Sequence, residues 1–393
     1  MLSTEHRAIV TATVPILEQG GEALTRHFYQ NLFRDYPEVR PYFNQAHQHS
    51  GDQQRALANG ILMYAKNIER LEALGPLVNT IVAKHVALQI QPGDYDKVGA
   101  ALLQAIREVL GAEIATDAVI EAWGAAYGQL AKILIGIEGK AYDDKAAAPG
   151  GWRGARQFII AERRQESAEI TSFVFRPADG GPVLDFEPGQ YIGIRFVIDG
   201  VEQRRNYSLS AAPNGKTYRI SVKREEGGLV SNHLHGSVKE GDTVDLFPPS
   251  GAFTLADSSK PIVLISGGVG ITPTLAMLDS ALKTGREIRF IHAARNGGVH
   301  AFRDHIDQLA AANPQLTRHY IYAEASDAHP TPDAVGFLDT RQLGAWLPES
   351  RDVDAYFLGP VPFMKVVKNS LRELGVPEAQ TYYEFFGPAK ALS

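Results

Sequence analysis

The chain has 393 residues, of which 44% are hydrophobic and 21% charged, with a formal net charge of −6 at pH 7 and no cysteine. This length favours two or three domains with ordinary packed cores, and the acidic balance argues against nucleic acid or an anionic membrane as the main partner. The missing cysteine excludes disulfides, Cys-ligated zinc, iron–sulfur clusters and thiolate haem ligation.

At the amino end, Met1-Leu-Ser-Thr-Glu-His-Arg7 lacks the apolar centre of a signal peptide. No apolar run approaches the ~20 residues of a membrane span, so a cytoplasmic protein is expected. Apolar spacing then predicts helices from Ile9 to Gln19, Ala23 to Phe33, Gln53 to Ile68, Leu77 to Leu88, Val98 to Leu110 and Ala115 to Glu138. Breakers fall between them: Gly20-Gly21, Pro37, Pro41, Gly75-Pro76, Pro92-Gly93 and Gly111. Nothing here alternates with the period of a strand, so an all-α domain is predicted. In its fourth helix, Val78, Ile81, Val82 and His85 fall on one stripe. A histidine on an apolar face is more often a hydrogen-bonded core residue than a ligand.

The polar, glycine-rich run from Asp143 to Gly151 reads as a linker. Beyond it, strands are predicted at Ile170–Phe175, Tyr191–Ile198, Tyr207–Ser210, Tyr218–Lys223 and Thr243–Phe247, with a short helix near Leu229–Leu234. Close spacing and turn signals such as Pro213-Asn-Gly215 indicate an antiparallel barrel. It carries Arg205-Asn206-Tyr207-Ser208 within a strand, Tyr191 after Pro188-Gly189-Gln190, and Ser231 at the start of the short helix. An arginine and a helix N-terminus can share a phosphate pair, and tyrosines can stack on a flat ring. Taken singly, each is more often a surface ion pair, sheet packing or a helix cap than a cofactor contact.

From Pro261 onward strands and helices alternate, with strand candidates at Ile262–Ile265, Ile288–His292, His319–Tyr322, Ala355–Leu358 and Thr381–Phe385. That is an α/β, doubly wound pattern with ligands at the carboxyl ends of parallel strands. Its first strand runs into Gly267-Gly268-Val269-Gly270-Ile271-Thr272-Pro273. Thr272 is the expected N-cap and Pro273 the expected first helical residue. Such a helix start offers free N–H groups and a positive dipole end to a pyrophosphate. Arg295 follows the second strand and is a candidate for a 2′-phosphate, so NADH against NADPH stays open.

The order of these features resembles the ferredoxin–NADP reductase superfamily over residues ~152–393. The resemblance implies that Tyr191, Arg205, Asn206, Tyr207, Ser208 and Ser231 hold FAD, and that Gly268, Val269, Gly270, Ile271, Thr272 and Pro273 hold the phosphates of NAD(P)H. The resemblance also implies that Glu384-Phe385-Phe386-Gly387-Pro388, at the carboxyl end, belongs to the same flavin site. Phe386 is expected to cover the isoalloxazine face, with Glu384 close to the hydride path.

The whole chain resembles the bacterial flavohaemoglobin family. Tyr29 in His27-Phe-Tyr-Gln, Gln53 and Leu57 in Asp52-Gln-Gln-Arg-Ala-Leu57, Lys84-His85, Tyr95 and Glu138 carry the match. Two departures are Phe385, where many relatives have cysteine, and Thr274, where many have methionine. The resemblance implies a globin domain (1–140), a linker (141–151), an FAD barrel (152–258) and an NAD(P)-binding domain (259–393). It makes His85 the proximal ligand of haem b, with Tyr95 and Glu138 around its far nitrogen. Tyr29 and Gln53 lie on the distal side, Leu57 narrows access there, and Lys84, expected to be exposed, tunes the haem. The family activity is nitric oxide dioxygenation. NAD(P)H reduces FAD, FAD reduces the haem, and O₂ and nitric oxide become nitrate. A monomer needing no nucleic acid, membrane or protein partner is expected. An oxygen carrier, a gas sensor and a diaphorase are the competing readings.

Overall fold

The computed structural model describes residues 2–43 and 52–387. The chain forms two compact units, one of Met1–Ala147 with Gly200–Arg205 and Gly387, the other of Ala148–Asp199 with Asn206–Phe386. No helix among the described residues is long and apolar enough to cross a membrane.

The first unit is helical: α1 (Thr4–Ala12), α2 (Val14–Asp35), α3 (Asp52–Lys66), α4 (Gly75–Leu88), α5 (Pro92–Ile114) and α6 (Asp117–Ala147). The break expected at Gly20-Gly21 lies instead at Thr13, and α2 runs through both glycines. Pro15, at the head of α2, suits a helix start. Thr13 Oγ1 donates to Val10 O at 2.6 Å and accepts from Trp123 Nε1 at 3.2 Å, which anchors the corner. Two helical glycines cost about 1 kcal/mol each. Burial of Leu24, Phe28 and Leu32 from the same helix outweighs that. The predicted linker is also shorter than expected. Helix α6 continues to Ala147, helped by good helix formers and the Lys140–Asp144 ion pair at 2.5 Å.

In the second unit, β1 (Arg156–Gln165), β2 (Ile170–Pro177), β3 (Tyr191–Ile198), β5 (Tyr218–Lys223), β6 (Thr243–Leu246) and β4 (Val201–Ser208, of which Asn206–Ser208 belong to this unit) form an antiparallel sheet in the order β4-β3-β6-β1-β2-β5. A bridge between Leu209 and Ile220 joins the extension of β4 to β5 and closes the barrel. Phe158, Phe173, Phe175, Ile192, Ile194, Ile220 and Leu246 fill it. Helix α7 (Leu229–Gly236) follows β5. Strand β1 was not expected, because its second half, Glu162-Arg163-Arg164-Gln165, carries no apolar alternation.

The remaining elements are β7 (Ile262–Gly267), α8 (Ile271–Ala281), β8 (Ile288–Ala294), α9 (Arg303–Ala312), β9 (Leu316–Tyr322), β10 (Ala334–Val335), α10 (Thr340–Trp346), β11 (Asp354–Leu358), α11 (Val361–Glu373) and β12 (Thr381–Tyr383). The strands are parallel in the order β10-β9-β8-β7-β11-β12. Chain direction across the sheet reverses between β7 and β11, the switch point at which such sheets bind ligands. Opposite its carboxyl edge, buried Arg286 and Asp354 pair at 2.5 Å and tie the entry of β8 to that of β11.

His292 of β8 is fully enclosed, its Nδ1 2.8 Å from Ser266 Oγ and its ring 4.4 Å from that of His300. Burial pushes the His292 imidazole down from 6.5 to about 3, and pushes His300 the same way. The folded state therefore keeps both rings neutral where the unfolded chain takes up protons. Stability from His292 is present above pH 6.5 and is lost as the pH falls from 6.5 toward about 3. Thermal unfolding across a pH series should show this acid-side loss in the second unit. His292→Asn should flatten the slope by up to one proton, about 1.4 kcal/mol per pH unit.

Candidate functional site

Three helices of the first unit converge on one buried carboxylate. His85 lies in the last turn of α4, Tyr95 in the first turn of α5, and Glu138 two-thirds along α6. Glu138 Oε1 is 2.8 Å from His85 Nδ1 and accepts the Tyr95 hydroxyl at 2.6 Å, and that hydroxyl is 3.0 Å from the same imidazole nitrogen. Glu138 is 2% exposed, and a carboxylate so buried needs such donors. Burial and the Glu138 carboxylate hold the Tyr95 phenol far above its usual range, so it stays a donor. A neutral imidazole that gives its Nδ1 proton to a carboxylate leaves Nε2 as the lone-pair nitrogen. That is the arrangement of a metal-ligating histidine with its outer hydrogen bond in place.

Two further tyrosines pin these groups through the backbone. Tyr127 donates to Tyr95 O at 2.6 Å, and Tyr142 donates to Ile90 O at 2.9 Å and His85 O at 3.3 Å. Neither was singled out from the sequence. Their spacing along α6, eleven residues before Glu138 and four after it, puts them on its face, which was the available signal.

Tyr29 of α2 is buried among Phe28, Phe33 and Phe43, and burial raises its phenol pKa. Leu57 is half-buried against the same core. Gln53 opens α3, but its side chain lies outside the described residues. Lys84 differs from expectation. It is half-buried, and its ammonium donates to Gly387 O, a residue of the same unit, at 2.7 Å.

In the barrel, Tyr191 opens β3 and is buried, with its phenol pKa raised by burial and by the nearby Glu384 carboxylate. On β4, Arg205 donates to Arg204 O at 2.7 Å and Gln203 Oε1 at 3.2 Å. Among the described residues, Asn206 Oδ1 is one of several enclosed side-chain atoms without a hydrogen-bond partner. Such an orphaned acceptor calls for a donor from a bound group. Tyr207 and Ser208 continue the strand, and Ser231 lies in the first turn of α7, its Oγ accepting from Glu225 N at 3.2 Å. Phe385 packs into the core beside β11 and α11, whereas Phe386 is 46% exposed. Simple core packing therefore does not account for Phe386. Gly387 follows, and Pro388 lies outside the described residues.

At the end of β7 the chain turns through Gly268, Val269 and Gly270 into α8, which begins at Ile271. Thr272 and Pro273 thus sit two places further in than expected. Thr272 Oγ1 donates to Val269 O at 3.1 Å instead of capping the helix. Thr274 Oγ1 donates to Ile271 O at 3.0 Å. The two glycines are needed for different reasons. A Cβ on Gly270 would lie 2.2 Å from Leu358 O, while Gly268 has φ +55 and open space where its Cβ would be. The first glycine lets two strand ends meet, and the second leaves main chain uncovered above the helix start, as a phosphate cradle requires.

Family models for globins, for an oxidoreductase FAD-binding domain and for an oxidoreductase NAD-binding domain match residues 26–134, 157–255 and 264–369. The chain is 65% identical over 392 residues to a flavohemoprotein of Burkholderia sp. (strain TH2) and 66% identical over 392 residues to one of Pseudomonas putida, each alignment covering 100% of both proteins. It belongs to the flavohemoprotein family. Among solved structures, the flavohemoglobin of Malassezia yamatoensis with bound FAD and heme is similar at TM-score 0.87 and 27% identity, over 98% of this chain and 100% of that one. The FAD/NAD-binding domain of a Vibrio cholerae nitric oxide dioxygenase matches 60% of this chain and 100% of its own at TM-score 0.55 and 41% identity.

As a flavohemoprotein, this chain is an oxidoreductase using haem, FAD and a nicotinamide nucleotide. Its donor sets fit those groups: one imidazole with a carboxylate behind it, an orphaned acceptor on β4, and an open glycine turn at the sheet's switch point. The glycines give a direct test. Gly270→Ala should destabilise the α/β module by about 1–3 kcal/mol in urea unfolding. Gly268→Ala should cost less stability, about 1 kcal/mol, yet raise KM for NADH.

Proposed function

We propose that the chain is a nitric oxide dioxygenase in which electrons from NAD(P)H pass through FAD to haem b and O₂ and nitric oxide are converted to nitrate, giving protection from nitrosative stress. The observation that carries this reading is the Glu138–His85 contact at 2.8 Å in a globin whose chain continues into a reductase. Bound FAD supplies the exchange of one hydride for two single electrons, and bound haem supplies an iron centre for the oxygen chemistry.

Each residue then has a part. His85 offers Nε2 to the iron, and Glu138, by accepting at Nδ1, fixes the ring and makes the ligating nitrogen more electron-rich. Tyr95 holds Glu138 from the other side. Tyr29, kept protonated by burial, would donate a hydrogen bond to a polar ligand on the distal side, with Gln53 and Leu57 as the further distal candidates. Lys84 adds positive charge one residue from the ligand. In the reductase half, Tyr191, Arg205, Asn206, Tyr207, Ser208 and Ser231 would bind the flavin, with Glu384, Phe385, Phe386, Gly387 and Pro388 as further candidates for that site. Gly268 to Pro273 receive the nucleotide phosphates. With the electron path complete on one chain, we read the protein as a cytoplasmic monomer.

The test measures nitric oxide consumption and nitrate formation by holoenzyme supplied with NADH and O₂. His85→Ala should abolish both while NADH-driven ferricyanide reduction continues. Glu138→Gln should lower nitric oxide turnover by about 10–100-fold, again sparing ferricyanide. Undiminished nitric oxide removal by His85→Ala would show that His85 is not the ligand.

A further inference from the structure

The nucleotide choice left open by the sequence turns on a residue of the flavin barrel. Arg295 directly follows β8, the neighbour of the strand that feeds the glycine turn. In doubly wound sheets the adenosine ribose lies near the end of this second strand, where a carboxylate accepts from a 2′-hydroxyl or an arginine receives a 2′-phosphate. Here the guanidinium is already engaged, because Arg295 Nη2 donates to Glu169 Oε2 in the turn between β1 and β2.

Glu169 is the anchored member of the pair. Its side chain is 18% exposed against 68% for Arg295. Its backbone is held on both sides, Glu169 N donating to Ser167 Oγ at 3.4 Å and Glu169 O accepting from Arg224 N at 2.8 Å. The turn is fastened to the loop after β8, where Ala168 N donates to Gly298 O at 2.9 Å. A second acidic residue is tied to Arg295 through the backbone. Exposed Glu324, past the end of β9, donates its N–H to Arg295 O at 2.9 Å.

We infer that Glu169 is a specificity-determining positioning residue: it occupies Arg295 and thereby favours NADH over NADPH. A nucleotide ending in a 2′-hydroxyl leaves the ion pair intact. A 2′-phosphate dianion must displace Glu169 from the guanidinium and then lie beside its carboxylate, and both requirements weaken its binding. The inference rests on the nicotinamide-binding reading given above.

The experiment compares kcat/KM for NADH and NADPH in the holoenzyme, with ferricyanide as acceptor so that the haem is not involved. The variants are Glu169→Gln, Arg295→Ala and both together, with flavin absorbance reporting correct folding. Glu169→Gln should raise kcat/KM for NADPH about tenfold, chiefly through KM, and leave NADH within about twofold. The gain should shrink at high salt and vanish when Arg295→Ala is added. An unchanged NADPH-to-NADH ratio in Glu169→Gln, or a gain that survives Arg295→Ala, overturns the inference. Wild-type protein that oxidises neither nucleotide overturns the underlying reading instead.

Discussion

The contact between Glu138 and His85 fixes the design of the helical unit. Removing a carboxylate from water costs several kcal/mol unless donors replace the lost solvent, and here the His85 imidazole and the Tyr95 hydroxyl both approach the same oxygen. Meeting that demand requires α4, α5 and α6 at one point, and the backbone contacts of Tyr127 and Tyr142 keep them there. The imidazole is therefore set by three helices at once. Rotating the ring breaks a hydrogen bond to a buried acid, so the direction of Nε2 is a property of the fold and not of one side chain.

The second unit solves a different problem, the presentation of main chain and orphaned acceptors to large polar groups. The barrel encloses Asn206 Oδ1 without a partner, and the parallel sheet leaves Gly268 uncovered at its switch point. Behind that open edge the sheet is sealed by neutral histidines and by the Arg286–Asp354 pair.

Much of this was legible in the sequence, for physical reasons that differ by element. The helices of the first unit showed through the 3.6-residue recurrence of apolar positions, and the stripe of Val78, Ile81, Val82 and His85 was visible directly. Glycine propensity predicts a stop at Gly20-Gly21, whereas packing around Leu24 and Phe28 overrides it and the corner falls at Thr13. Strand β1 escaped because only Phe158 and Ile160 face the core before its charged half begins. The residue type of Thr272 suits a cap, but the 3₁₀ turn of Gly268–Gly270 moves the helix start forward. The Arg295–Glu169 pair joins positions 126 residues apart, and no local pattern announces such a meeting.

The tight approach of Gly270 to the Leu358 carbonyl also bears on how the nucleotide module can be altered. Two segments nearly ninety residues apart act there as one interlocked part, each shaped to the other's surface. A phosphate loop transplanted from another reductase will seat properly only if the partner strand end travels with it, so the transferable unit is the pair and not the glycine motif alone.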